Sequence, residues 1–291
     1  MPAQAVLPFT ISYGSYSAIY NALSFVMASM GASTVYFFFH AAMMPNQGSG
    51  RALRTALCIT GLVTLIAFYH YFRIFNSWVE SYDFGAIDND SDAYPVLQAT
   101  GKPFNDAYRY MDWLLTVPLL LIELIMVMSL DEATTNEMCL KLGSAAALMI
   151  VLGYPGEITM DHGTRWIFWF LAMLPFIFIV YTLFVGLKDA VEKQPAGARA
   201  LVSQARYVTI ISWSTYPIVY ILPMIGMDTG SRALVGIQIG YSISDFISKC
   251  GLGLMVTKIA MAKTKQAKDG STERLIGGDG MTLQTAGGFT N

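Results

Sequence analysis

The chain alternates between long apolar runs and short polar breaks. A membrane helix needs about 20 mostly apolar residues. Seven stretches qualify, near 14–42, 53–79, 104–129, 137–155, 164–188, 203–225 and 232–262. The breaks are short except for 80–103, a polar stretch with Asp83, Asp88, Asp90 and Asp92 in which a hairpin is weakly signalled. This pattern predicts an all-α membrane protein, a seven-transmembrane-helix bundle over 14–262. An N-terminal segment, 1–13, precedes it. A tail, 263–291, follows, and its Gly, Thr and Lys content predicts a flexible segment.

Composition agrees with the pattern. The chain is 54% hydrophobic and 13% charged, whereas soluble domains carry about 25% charged residues. A net charge of −2 offers no basic face to nucleic acid. Cys58, Cys139 and Cys250 are odd in number and scattered, which argues against a disulfide framework or a metal site. They read as small buried hydrophobes. Residues 1–10 hold no Lys or Arg, so no secretory n-region is visible. Basic residues collect on alternate breaks: Arg51 and Arg54, then Lys188, Lys193, Arg199 and Arg206, then Lys263, Lys265, Lys268 and Arg274. The other breaks carry mainly Lys102, Arg165 and Arg232. The positive-inside rule then predicts an outside N-terminus and a cytoplasmic C-terminus. The sequence does not distinguish a plasma membrane from an intracellular one.

Ionisable residues inside membrane spans are costly and mark function. Here they are His70 and Arg73 on the second span, Arg109, Asp112 and Glu123 on the third, and Asp245 and Lys249 on the seventh. Lys249 lies near mid-span, too deep to reach water by extending along the helix. Two arrangements can hold it: an ion pair with Asp245, one turn earlier on the same face, or an imine with an aldehyde, the covalent chemistry open to lysine. Spacing alone does not choose between them. On the third span Asp112 and Glu123 are eleven residues apart, which places them within roughly 20° of one face and roughly 16 Å apart along the axis. Thr116 lies one turn beyond Asp112, and Arg109 about one turn before it. A graded set of proton-binding groups along the membrane normal is what proton translocation requires. A packed helix with paired acids is the bland alternative, but Glu123 has no nearby sequence partner.

At this point the residues resemble a known family, the microbial rhodopsins. Arg109-Tyr-Met-Asp112-Trp-Leu-Leu-Thr116-Val-Pro118 is similar to the third-span signature of its light-driven proton pumps. Asp245-Phe-Ile-Ser-Lys249 resembles its retinal-binding segment, and Trp213-Ser-Thr-Tyr216-Pro217 its retinal wall. The resemblance covers about 14–262. Tyr69–Trp78 and Gly153-Tyr-Pro-Gly-Glu157 look most like the xanthorhodopsin-like and proteorhodopsin-like pumps, including those of marine eukaryotic microbes.

The resemblance implies a role for each residue. Lys249 would carry all-trans retinal as a protonated Schiff base. Asp112 would be counterion and proton acceptor, and Asp245 the second counterion. His70 would hydrogen-bond Asp112 and tune its proton affinity, and Thr116 would steady it. Glu123 would be the cytoplasmic donor; a carboxylate among Leu119, Leu120, Ile122 and Leu124 is poorly solvated, so it is expected to hold its proton at rest. Arg109 would shape the counterion field and proton release. Trp113, Trp213, Tyr216, Pro217 and Tyr241 would line the retinal, Gly153 would leave room at its ring, and Leu120 goes with green absorption. Glu157 and Arg73 could pair at the extracellular face. Trimers or pentamers follow from family likeness alone.

Xanthorhodopsin has a glycine on its fifth span that opens a window for a carotenoid. Here the stretch reads Trp166-Ile-Phe168-Trp169-Phe170, and Trp169 fills that place, so no carotenoid antenna is expected. Asp112, Thr116 and Glu123 also depart from the neutral acceptor of chloride pumps and the Asn–Asp–Gln set of sodium pumps. The competing readings are a photosensory rhodopsin signalling to a partner, a light-gated channel, and a seven-helix transporter or receptor without retinal.

Overall fold

The computed structural model describes residues 7–84, 96–105, 107–159, 161–225 and 231–279. The first four spans are α1 (Tyr13–Met43), α2 (Ser49–Ser81), α3 (Ala107–Met128) and α4 (Glu132–Glu157). The fifth is α5 (His162–Tyr181), extended by a π-helical segment, Thr182–Gly186. A short α6 (Lys188–Glu192) leads to the sixth span, α7 (Ala196–Ile221). The seventh is α8 (Ser231–Asp245), a π-helical segment Phe246–Gly251, and α9 (Leu252–Asp279). Six of the described helices are long and apolar enough to cross a membrane. The seventh span is broken in the middle and packs against α1, α2 and α7, closing the bundle. The protein is thus an integral, multi-pass membrane protein. Many large apolar side chains point outward, among them Phe39, Leu140, Phe170 and Ile211, as a lipid-facing surface requires.

Each predicted stretch forms a helix, and the differences lie at the ends. The fourth helix starts at Glu132 rather than near 137 because Asp131 caps it, accepting from Thr134 N at 2.9 Å. The fifth starts at His162 because Asp161 accepts from Thr164 N at 2.7 Å. The tail expected to be flexible from 263 is instead helical to Asp279, since Ala, Lys, Gln and Met over 261–268 are good helix formers. Residues 280–291 lie outside the described residues.

The signalled hairpin forms in part. Strand β2 (Tyr82–Phe84) pairs antiparallel with β3 (Val96–Ala99), and Asp88, Asp90 and Asp92 between them lie outside the described residues. A strand not foreseen, β1 (Thr10–Ser12), takes the other edge of β3, giving the order β1-β3-β2. Ile11 stands opposite Leu97, and both are buried against Trp78, Tyr82 and Phe104. The sheet therefore plugs one end of the bundle, here called the sheet end. The opposite end, where α3 stops and α9 extends, is the tail end.

The Asp161 cap sets a pH-dependent expectation. Its hydrogen bonds from Thr164 hold this exposed carboxyl below the usual Asp range. A lowered value means that the carboxylate's contribution is complete above about pH 4 and is lost as pH falls through the native value. Asp161→Ala is expected to lower the thermal midpoint in detergent at pH 7 and to converge on the parent in acid. Asp161→Asn, a neutral acceptor, should lie between them with little pH dependence.

Candidate functional site

The π-helical segment Phe246–Gly251 is where the seventh span brings its amine into the bundle. π turns are rare and concentrate at functional positions. Lys249 Nζ lies 2.6 Å from Asp245 Oδ1 and 2.8 Å from Asp112 Oδ2, with all three groups buried. The third span supplies Asp112 and the seventh supplies Asp245, so one ammonium joins two helices. Arg109, also buried, sits on the sheet-end side of Asp112, and its Nη1 is 3.5 Å from Asp245 Oδ2. Two cations thus balance two anions in a region without bulk water.

The two carboxylates are held unequally. Asp245 Oδ1 accepts from Trp113 Nε1 at 3.0 Å and from the Tyr216 hydroxyl at 2.8 Å as well as from Lys249. Asp245 Oδ2 accepts from the Tyr71 hydroxyl at 2.7 Å. Asp112 has the Lys249 ion pair on one oxygen, and its Oδ1 accepts no hydrogen bond.

His70 stands beside Asp112 but does not make the expected bond. Its Nδ1 is 4.0 Å from Asp112 Oδ1 and is instead 3.0 Å from the Ile66 carbonyl, one turn back on its own helix. Thr116 likewise bonds the main chain: its hydroxyl donates to the Asp112 carbonyl oxygen at 2.8 Å rather than to the carboxylate. It can steady the helix at Asp112, not the charge. Both contacts are the local four-residue bonds that a helix offers a short polar side chain.

Glu123 is fully buried further along α3 toward the tail end, with the Thr60 hydroxyl of the second span as its polar neighbour. The pairing suggested for Glu157 and Arg73 is not made. Glu157 is 3.5 Å from Arg165, while Arg73 reaches the hydroxyls of Tyr108 at 2.8 Å and Tyr69 at 3.3 Å. Arg165 follows the α4–α5 turn and lies eight residues from Glu157, so the turn itself brings the two together.

Beside the ion-paired cluster lies a partly open cavity lined mainly by aromatic and apolar side chains. Its wall includes Trp113, Gly153, Trp213, Tyr216, Pro217 and Tyr241, all anticipated from sequence. Leu120 and Lys249 are not in the wall; Leu120 is buried in the core against neighbouring helices. The amine nevertheless shares an acceptor with the wall, because Trp113 and Tyr216 donate to the Asp245 oxygen that Lys249 contacts. A Cβ added to Gly153 would meet only ordinary contacts with Ala172 and Tyr110, so the space there is real. Pro217 lacks an N–H and leaves the sixth span's ladder open beside the cavity. Its own carbonyl accepts from Trp169 Nε1 at 3.1 Å, which fixes Trp169 in the wall.

The pattern of the family described as bacteriorhodopsin-like protein matches residues 18–263. The chain belongs to that family. The green-light absorbing proteorhodopsin of a gamma-proteobacterium, EBAC31A08, is 28% identical over 251 residues, 85% of this chain and 89% of the relative. Bacteriorhodopsin of Halobacterium salinarum is 28% identical over 233 residues, 79% of each chain. Among solved structures, xanthorhodopsin, described as a light-driven ion pump with dual chromophore, superposes with a TM-score of 0.82 at 40% identity, covering 90% of this chain and 99% of that one. Thermophilic rhodopsin matches with the same values.

Some residues of this microbial rhodopsin had no role in the sequence reading. Tyr71 bridges Asp245 and Arg109, donating to the former and accepting from Arg109 Nη1 at 3.0 Å. Gln238 accepts from Arg109 Nη2 at 2.8 Å. A signal for Gln238 existed: it lies seven residues, two turns, before Asp245 on an apolar span. Tyr71 was hidden among five aromatic neighbours, Phe68, Tyr69, Phe72, Phe75 and Trp78. Tyr71→Phe leaves a buried carboxylate oxygen and a guanidinium each short of a partner. The expected loss is roughly 1–3 kcal/mol of stability, read as a lower midpoint of thermal unfolding in detergent.

Proposed function

We propose that this rhodopsin is a light-driven outward proton pump in which Lys249 binds all-trans retinal covalently as a Schiff base. The observation that carries the reading is the unequal commitment of the two carboxylates. Asp245 is surrounded by four donors and Arg109, which favour its charged form. Asp112 touches the same Lys249 nitrogen with one oxygen and has a free acceptor on the other. A proton leaving that nitrogen therefore has one neighbour ready to keep it.

The residues fit the cofactor. The cavity's aromatic wall suits a long apolar chain. The buried amine shares the Asp245 Oδ1 acceptor with Trp113 and Tyr216 of that wall. When bound, retinal supplies light absorption and an isomerisation that moves the nitrogen's proton relative to the carboxylates. The protein does the rest. Asp112 takes the proton, while Asp245 stays charged and Arg109 offers positive charge toward the sheet end. Glu123 holds its proton at rest, since full burial beside one neutral hydroxyl, Thr60, does not replace the water a charge would need. It returns a proton to the Lys249 nitrogen from the tail-end side. Arg51, Arg54, Lys188, Lys193 and Lys265 collect at that end, which makes it cytoplasmic under the positive-inside rule. Transport then runs outward. Moving one charge costs about 2.3 kcal/mol per 100 mV, well below the energy of a visible photon.

Trp169 supports a pigment without a carotenoid antenna, because its indole is anchored in the wall of the fifth span where an antenna would need a gap. Energy transfer from an added carotenoid to retinal would overturn that part of the reading.

Cells expressing the chain with added retinal should acidify the medium on illumination, and a protonophore should abolish the signal. Lys249→Ala should be colourless, and Asp112→Asn should not pump. Glu123→Gln should slow reprotonation of the Lys249 nitrogen on the order of 100-fold. Normal pumping by Asp112→Asn would remove the acceptor assignment. A slow photocycle with no acidification would favour a photosensor.

A further inference from the structure

The tail end of α3 is finished by side chains from elsewhere. The last four carbonyls of a helix lack intrahelical partners. Here α3 stops at Met128, and Ser129 takes φ 55°, a left-handed conformation that costs a non-glycine residue energy. Lys263 Nζ, from α9 of the seventh span, donates to the Val127 carbonyl at 2.5 Å and to Ser129 Oγ at 3.1 Å. Gln194, in the connection between the fifth and sixth spans, donates from Nε2 to the Met128 carbonyl at 2.7 Å and to the Ala190 carbonyl at 2.9 Å. Gln194 is buried, and its Oε1 accepts no hydrogen bond.

The place of this double cap matters. Val127 is four residues after Glu123, one turn, or about 6 Å, toward the tail end. Leu124, Val127 and Met128 around it are buried. Glu123, fully buried, is thus separated from the tail-end surface by one apolar turn and the two capping side chains.

We propose that Lys263 and Gln194 are positioning residues that seal the tail-end approach to Glu123 by capping the last turn of α3. The inference rests on the reading of Glu123 as the group that reloads the Lys249 nitrogen. Its physical basis is the demand of a buried carbonyl for a donor. With the caps in place, the Val127 and Met128 carbonyls need no water. Without them each must recruit water, and that water would lie within one turn of an acid whose polar neighbour is a single hydroxyl, that of Thr60. Exchange of the Glu123 proton with the tail-end solvent would then speed up, whether or not light drives the cycle.

The test uses the full chain with retinal bound. Lys263→Met, Gln194→Leu and the double variant are compared with the parent and with Lys263→Arg, which keeps a donor of similar reach. Infrared spectroscopy follows hydrogen–deuterium exchange at the carboxyl whose C=O band disappears in Glu123→Gln. The double variant should exchange at least about tenfold faster than the parent, each single variant should be intermediate, and Lys263→Arg should recover most of the protection. Where the double variant does not accumulate, the single variants and the arginine rescue carry the same test. Unchanged exchange alongside a lowered thermal midpoint would overturn the proposal, leaving the caps structural only. The donor reading is judged separately: if Glu123→Gln reloads the Lys249 nitrogen at the parental rate, that reading fails, while the exchange measurement still decides the seal.

Discussion

A single buried ammonium organises this protein. Removing a charge from water into an apolar interior is so costly that it persists only when paired and hydrogen-bonded. Lys249 meets that demand with two carboxylates, 2.6 and 2.8 Å away, taken from two different spans. Each carboxylate then makes its own demand. Asp245 draws donors from the second span through Tyr71, the third through Trp113, and the sixth through Tyr216. Satisfying one amine therefore fixes four of the seven spans. Removing one partner of such a cluster typically costs about 3–5 kcal/mol, because the remaining charge is left buried and alone. The same contacts that hold the bundle together define where a proton can be held.

The donors to Asp245 have a second duty. Trp113 and Tyr216 point their polar edges at the carboxylate and their ring faces at the cavity. Their rings pack edge to face at 4.9 Å, and Tyr241 joins both. The wall is thus stiffened by the ion cluster rather than by apolar packing alone. Pro217 and Gly153 work in the opposite sense, removing a donor in one helix and a side chain in another so that space remains. A rigid edge beside the amine and room at the far side are what a covalently anchored, elongated apolar ligand would need.

Much of this was legible in the sequence because membranes impose blunt rules. Apolar runs of about 20 residues had to be helices, and an ionisable residue inside one had to have a reason. Lys249, Asp245, Asp112 and Arg109 converge, as their spacing and the family resemblance suggested. What stayed hidden depends on partners distant in the chain. The bridging hydroxyl of Tyr71 becomes visible only when residue 245 is beside it. Strand β1 is three residues long and exists because β3 offers it an edge. The π-helical segments carry no composition cue. Glu157 chose Arg165 over Arg73 because the α4–α5 turn delivers Arg165 first. His70 and Thr116 satisfied their own helix before reaching for Asp112. Local hydrogen bonds cost little chain entropy, so they win unless packing forbids them.

The polar groups are also distributed unevenly along the third span, and this bears on direction. Toward the sheet end from Lys249, contact is continuous: Asp245, Tyr71 and Arg109 follow one another within hydrogen-bond reach, and Arg109 in turn meets Gln238 and Ser242. Toward the tail end Glu123 is a lone carboxyl with the buried Thr60 hydroxyl beside it, and apolar residues follow until the capped end of α3. A proton can be passed along a connected chain of polar groups, but it cannot cross a dry segment without a carrier. An arrangement connected by polar side chains on one side and interrupted on the other lets a proton leave easily in one direction. In the other direction it admits a proton only by way of one carboxyl. A freely connected path on both sides would dissipate the gradient it was built to make. The burial of Glu123, distant from the other carboxylates and shielded at the tail end, is therefore the feature that gives the proposed cycle its sense.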